Sequence, residues 1–511
     1  MTGPKSKRIR EFGDFQTPAD LAHAVTKLLR ELGIRADVIL EPTCGYGSFL
    51  AAAAATFPEA QCLVGFDINH AYVSEASRRL QYAPGAERIV VSHGDFYKID
   101  WKSVWSALGA EDSRKLVLGN PPWVTNSELG LLQSENVPQK SNFQGHTGME
   151  AITGKSNFDI SEWMLLRYLD WLKGYRGTIA VLCKTAVARR ILVRIWREKY
   201  PICSARLFSI DARKYFNVSV DASLFVLETG PNCNLSECDV FEGLGYDNPA
   251  RKIGYYEDFL IADVARYQHW RHLHSIETGY VWRSGIKHDC SNVMELFRTV
   301  DGLWNRLGEK VDIEDVLLFP LLKGSDIGNG TTLTQGFMLV TQRSIGEDTR
   351  EIQIVAPKTW KYLQNHAALF DQRASSIYRN RPPFSIFGVG KYSFTPWKVA
   401  IPGFYKRFEF IKVGPMRGRP AVFDDTVYFL PCNSEAEADF LCSLLNSTPA
   451  QEFYQSMVFW SDKRPITIQL LKRLNLRELA RELGLENLYS TYTRTSGSGK
   501  VDTDETQLRL F

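Results

Sequence analysis

Short apolar runs and longer amphipathic stretches alternate through the first half of the chain. T-P-A-D-L-A-H-A-V-T-K-L-L-R-E-L carries apolar residues at helical spacing, with Thr17 as N-cap and Pro18 at the first helical position. V-I-L-E-P-T-C-G-Y-G-S-F-L-A-A-A-A-A then reads as a strand, a glycine turn and an alanine-rich helix. C-L-V-G-F-D is a second strand ending at Asp67, followed by a helix from His70 to Leu80. R-I-V-V-S-H-G-D-F is a third strand, ending at Asp95 and Phe96, and the run from Lys115 to Leu118 is a fourth, stopped by two prolines after Asn120. Such alternation predicts a Rossmann-like α/β domain, and later runs bring its mixed sheet to about seven strands. All the parallel strand ends then fall on one rim, so Glu41, Asp67, Asp95 and Asn120 are expected to line one crevice.

Between residues 124 and 158 lies a polar segment rich in Gly, Ser, Asn and Gln, too long for a connector and expected over the crevice mouth. After Thr229 the alternation fades and aromatic, glycine, proline and arginine residues interleave. The domain expectation is a catalytic domain over 1–265, an α+β recognition domain over 266–490 and a flexible C-terminal tail over 491–511.

With 511 residues, 44% hydrophobic and 23% charged, the chain is globular and too long for one core. No apolar run suffices for a membrane span and the basic N-terminus has no apolar stretch behind it, so a cytoplasmic protein is expected. Nine cysteines without a C-x-x-C pair read as reduced thiols, with no metal site. A net charge of +3 does not by itself announce a nucleic-acid partner, which leaves local clusters to decide.

The glycine turn lacks both the third glycine of G-x-G-x-x-G and a Walker lysine, so a phosphate is not its obvious ligand. Glu41 suits a cationic ligand instead, and S-adenosylmethionine carries an ammonium and a sulfonium. Asp67 can take ribose hydroxyls, and Asp95 the adenine amino group, with Phe96 beside the ring. L-G-N-P-P-W-V offers two rigid acceptors, the Asn120 side-chain oxygen and the Pro121 carbonyl, beside a flat face at Trp123.

In this order, F-Q-T-P, E-P-T-C-G-Y-G-S-F, F-D-I-N, G-D-F and N-P-P-W resemble the amino-methyltransferases of DNA, most closely their gamma class, which methylates adenine at N6. S-G-I-K-H-D, L-L-K-G-S-D-I and S-D-K-R-P-I-T-I-Q-L-L resemble that class's target-recognition domain. The resemblance implies that Thr17 and Pro18 flank the cofactor's methionine end and that Glu41, Thr43 and Gly45 form its pocket. Asp67 would hold the ribose and Asp95 with Phe96 the adenine, with Ile68 also among the cofactor-binding residues. Asn120 and Pro121 would hold the target amine, with Pro122 beside them in the catalytic motif and Trp123 and Phe216 on opposite faces of a flipped base. The family usually has tyrosine or phenylalanine where Trp123 stands.

Duplex DNA is the expected partner, contacted by Arg379, Arg381, Lys391 and Lys398. No nuclease signature stands out, so any cleavage falls to a separate restriction endonuclease or defence-system protein. Two other readings stay open: an amine or amide methyltransferase acting on RNA or protein, and a DNA-recognition subunit whose methyltransferase fold no longer turns over.

Overall fold

The chain divides into two units, Met1–Val264 and Ala265–Phe511, in a computed structural model that describes residues 15–108, 112–124, 159–276 and 279–496. The expected loop over the crevice therefore lies almost wholly outside the described residues.

Unit 1 is built on strands β1 (Val38–Glu41), β2 (Cys62–Asp67), β3 (Ile89–His93), β4 (Lys115–Gly119), β5 (Gly177–Lys184), β6 (Ile202–Ile210), β7 (Ala222–Thr229), β8 (Glu237–Phe241), β9 (Arg251–Tyr256) and β10 (Phe259–Ile261). They form one sheet in the order β10-β9-β8-β6-β7-β5-β4-β1-β2-β3. Strands β1 to β5 are parallel to one another, and β7 runs antiparallel to both β5 and β6. The four residues of β1 and the five of β4 are all buried, as central strands covered on both faces must be.

The sheet exceeds the expected seven strands by β8 to β10. Few of their residues are buried, and E-C-D-V-F and R-K-I-G-Y-Y mix charges into the run, which hides them from a search for apolar strands. Among the described residues the first helix is Ala19–Glu31, with Pro18 rather than Thr17 at the N-cap; the Pro18 carbonyl accepts from Ala22 N–H. Its Leu21, Val25 and Leu29 are fully buried in one cluster with Phe49, Ala52 and Ala53 of the helix Ser48–Thr56. Each such large side chain stabilises by about 1.5–3 kcal/mol on leaving water, and alanines let the two helices approach.

One expectation about cysteines is overturned. Cys203 and Cys233 form a disulfide across 30 residues, with Cα atoms 4.9 Å apart. Cys203 is the extra residue of a bulge between Ile202 and Ser204, which pair with Thr229 and Glu228, and a Cβ on the adjoining Gly230 would come within 2.8 Å of the Cys203 sulfur. Spacing along the chain carries no trace of that approach. The other seven cysteines are free thiols.

Unit 2 contains β11 (Arg283–Ser284), β12 (Glu295–Thr299), β13 (Gly302–Asn305), β14 (Lys310–Val311), β15 (Leu318–Leu322), β16 (Gly336–Leu339), β17 (Trp397–Pro402), β18 (Ile411–Val413), β19 (Val422–Phe423) and β20 (Val427–Cys432). One sheet has the order β14-β13-β12-β16-β15-β19 and the other β11-β20-β17-β18. Helices close the unit, the last being Glu486–Ser496. The expected tail from 491 is thus helical as far as Ser496, because E-N-L-Y-S-T-Y-T-R-T-S is continuous with the helical run before the glycines begin.

The motifs S-G-I-K-H-D and L-L-K-G-S-D-I meet at Glu295, which is buried and pairs with Lys323 at 2.5 Å, Arg306 at 2.7 Å and His288 at 3.5 Å. Burial pushes the Glu295 carboxyl up, but the His288 and Lys323 contacts outweigh it and hold the group below the usual range. Lys398 is a correction to the DNA-contact set. It is 1% exposed in the central strand β17, its ammonium donates to the Thr395 carbonyl at 2.7 Å, and burial lowers its pKa to about 7. Arg379, Arg381 and Lys391 are exposed. Among the described residues, no helix is long and apolar enough to cross a membrane.

Candidate active site

The strand order reverses at β1, which lies between β4 and β2, and in open α/β sheets ligands bind outside the carboxyl ends of the strands at such a switch. A cavity of about 470 Å³ opens at the carboxyl ends of these strands. The β1 end supplies Glu41 and the residue after β4 is Asn120, both in the cavity wall. Glu41 is only 3% exposed and its Oε2 atom has no hydrogen-bond partner. Burial raises its pKa well above the usual carboxylate range, the Leu50 N–H works against that, and the Asp67 charge adds to it.

The glycine turn is fixed from two sides. Asp67 Oδ2 accepts from Gly45 N–H at 2.9 Å and Oδ1 accepts from Asn69 N–H at 2.8 Å. Gln16 Oε1 accepts from Tyr46 N–H at 3.0 Å and lies where a Gly45 side chain would be. Gly45 and Gly47 have φ of +51° and +77°, a left-handed backbone that glycine adopts without steric cost. Beyond Asp67, Asn69 caps the helix His70–Leu80 by accepting from Ala71 N–H.

Asn120 is held by its own amide. Its Nδ2 donates to the Phe15 carbonyl at 2.9 Å, and since a carbonyl only accepts, that contact fixes the amide's orientation and leaves Oδ1 as the free end. Oδ1 is buried and has no partner. An orphaned buried acceptor costs about 1–3 kcal/mol, which a donor on a ligand recovers. Pro122 also borders the cavity.

Trp123 and Phe216 do not form the expected open sandwich. Trp123 is 4% exposed, its indole N–H donates to the Leu182 carbonyl at 3.2 Å, and its ring meets Phe216 edge to face, with centroids 5.1 Å apart at 69°. Phe15 completes the cluster at 5.6 Å from Trp123 and 6.0 Å from Phe216. The larger tryptophan ring reaches into the core. Phe216 is the half-buried partner, at the end of the five-residue helix Ala212–Phe216.

Of the expected cofactor residues, Thr17, Glu41, Thr43, Gly45, Asp67, Ile68 and Phe96 line the cavity. Pro18 and Asp95 do not, nor does Pro121, expected to hold the target amine. The Asp95 carboxylate turns back on its own loop, accepting from Tyr97 N–H at 3.0 Å and pairing with Lys98 at 3.1 Å. Sequence reading passed over Phe15 and Gln16, although both sit inside F-Q-T-P. It also missed His70, Tyr72, Tyr97 and Met164, which reach the wall from helices and loops whose phase no motif marks. Cys44 lies in the wall too, but burial and the neighbouring Glu41 and Asp67 push its thiol up, away from thiolate chemistry.

The reversed seventh strand and the cavity at the switch point, with an acidic floor and an amide at its edge, define a Rossmann-like methyltransferase domain. The chain belongs to the type II methyltransferases. It is 46% identical over 472 residues to the type II methyltransferase M.NspV of a Nostoc species, a match covering 92% of this chain and 97% of that protein. No family model matches. Among solved structures, the type IIL restriction-modification enzyme MmeI in complex with DNA aligns over 98% of this chain and 74% of its own, at 11% identity and a TM-score of 0.49. The EcoKI M protein aligns over 44% of this chain and 48% of its own, at 12% identity and 0.32. Likeness at that level carries no weight for function.

Proposed function

We propose that the protein is a site-specific DNA methyltransferase of a restriction-modification system, of the gamma class, transferring a methyl group from S-adenosylmethionine to the N6 amine of adenine. The observation that carries this reading is the Asn120 amide, tethered at Nδ2 and orphaned at Oδ1, at the edge of a cavity with a buried acid on its floor. Membership of the type II methyltransferases and the order of the motifs support it.

The cavity fits the cofactor by volume and by the orphaned Glu41 oxygen, which suits a cation. Glu41 would hold the charged amino-acid end, Gly45 and Thr43 would let it approach the turn, and Asp67 with Ile68 would take the ribose. Phe96 would lie against the adenine, with the Tyr97 segment in place of the Asp95 carboxylate. When bound, the cofactor supplies a methyl group on an electrophilic sulfonium.

An aromatic amine is a poor nucleophile because its lone pair is delocalised into the ring. Asn120 Oδ1 and the Pro121 carbonyl would each accept one N–H and draw the nitrogen toward a tetrahedral geometry, freeing the lone pair. The Asn120 acceptor is in place beforehand, so its gain is preorganisation. The base must leave the duplex to reach them, at a cost of a few kcal/mol. Phe216 would swing from the Trp123 edge to cover it, while Trp123 stays tied to Leu182. Unit 2 would read the target sequence, and Arg379, Arg381 and Lys391 would meet phosphates.

The test is expression in a host lacking adenine methylation, with mass analysis of nucleosides from the host DNA. N6-methyladenine should accumulate with the wild type and not with Asn120→Ala. N4-methylcytosine instead would overturn the adenine assignment, and no methylated base in either strain would overturn the DNA reading.

A further inference from the structure

A hairpin in unit 2 is built against its own turn preference. In G-P-M-R-G-R-P, Met416 N–H donates to the Arg419 carbonyl at 2.8 Å and Arg419 N–H to the Met416 carbonyl at 2.9 Å. Arg417 and Gly418 between them have φ of +51° and +72°. This is a two-residue type I′ turn, in which both central residues are left-handed and Asn-Gly is the favoured pair. An arginine at the first position is strained, since its Cβ crowds the following carbonyl. Bulky residues with positive φ are uncommon, and an observed outlier of this kind points toward function.

Packing does not force the outlier. Phe384, another bulky residue at positive φ, is buried, whereas Arg417 is exposed. The two arginines of the turn behave differently. Arg419 anchors the hairpin, its guanidinium donating to the carbonyls of Asp315 and Leu318. Arg417 makes no hydrogen bond or ion pair among the described residues and rests 5.4 Å over the Phe337 ring. Arg298 lies 5.1 Å from that same ring and has Asp315 as its carboxylate partner. Pro415 and Pro420 bracket the hairpin and limit its freedom. A pre-oriented guanidinium, held by a ring and not neutralised by an acid, sits at the tip of a rigid loop.

We propose that Arg417 is a DNA-reading side chain, presented at the tip of the type I′ turn so that its forked N–H donors meet acceptor atoms of the duplex. The inference rests on the DNA reading above. Its ligand chemistry is a pair of adjacent acceptors, on a guanine edge or a phosphate.

The test compares Arg417→Asn and Arg417→Lys with the wild-type full chain. The substrate is a randomised duplex library, methylated in vitro and sequenced for modified sites, with Kd measured against the same duplexes at several salt concentrations. Asn suits the turn, so Arg417→Asn should raise Tm by about 1–3 °C while weakening DNA binding about tenfold or more. Base-edge contact predicts that both variants relax one position of the methylated sequence. Phosphate contact predicts an unchanged sequence, a salt slope lower by about 1 for Arg417→Asn, and near-recovery by Arg417→Lys. Wild-type methylation with Arg417→Asn matching it in sequence, affinity and salt slope would overturn the inference alone. Loss of Tm in Arg417→Asn would overturn it too, by showing a structural role. No methylation or binding of duplex by the wild type would overturn the DNA reading and this inference with it.

Discussion

Replacing Glu41 by glutamine separates charge from shape at the cavity floor. Glu41 is buried, its Oε2 has no partner, and burial with the nearby Asp67 charge keeps the carboxyl protonated above its usual range. A cationic ligand favours the carboxylate, so binding must expel a proton whenever the free protein holds one. Cofactor affinity should therefore rise with pH by up to about tenfold per unit, then level off above the Glu41 pKa of the free protein. Glutamine has no charge to offer. The lost charge-assisted contact is worth about 1.5–3 kcal/mol, or roughly 10- to 150-fold in Kd, and the pH dependence should vanish with it. Stability should move the other way. A carboxyl whose folded pKa is raised contributes fully below its unfolded pKa of 4.5 and loses that contribution as pH climbs toward the folded value, so Glu41→Gln should flatten the decline of Tm above pH 4.5. Calorimetry of S-adenosylmethionine binding in buffers of different ionisation enthalpy reads affinity and proton release together. Binding by Glu41→Gln within twofold of wild type, with the same proton count, would refute the reasoning.

Asn120→Ala should leave cofactor Kd nearly unchanged and lower methyl transfer by about 10²- to 10³-fold, since it removes a preorganised acceptor; equal loss of both would remove the assigned role. Phe216→Ala should keep Tm near wild type and weaken binding of a duplex carrying a fluorescent base analogue at the target by about 1–3 kcal/mol, whereas Trp123→Ala should cost about 3–5 kcal/mol of stability in denaturant melts because its ring is core. Lys398→Met should leave DNA affinity alone. Because burial lowers the Lys398 pKa from 10.5 to about 7, wild-type stability should rise between pH 7 and 10.5, and the methionine variant should lack that slope.

Strands β1 to β7 were legible because apolar runs of the right length end on polar residues, and the parallel arrangement then places those ends together. That logic brought Glu41, Asp67 and Asn120 to one cavity before any coordinates. It failed where position depends on side-chain direction. Asp95 is at the rim, but its carboxylate closes a local turn with Tyr97 and Lys98. Lys398 looked like one more surface cation in a basic run, yet it sits in an interior strand whose residues are buried on both faces from Lys398 to Pro402. The Phe15–Asn120 contact spans 105 residues and the Cys203–Cys233 bond 30, separations that local pattern cannot connect. The Glu295 cluster tied two of the quoted motifs together through a residue in neither of them.

The central claim, that the tethered Asn120 amide presents a target amine of duplex DNA for methylation, is tested most directly by tritium transfer. The purified protein is incubated with labelled S-adenosylmethionine and unmethylated double-stranded DNA, and the product nucleosides are separated and identified by mass. The account predicts label in N6-methyladenine, lost in Asn120→Ala while cofactor binding persists. Cofactor binding without any label on the DNA would contradict it.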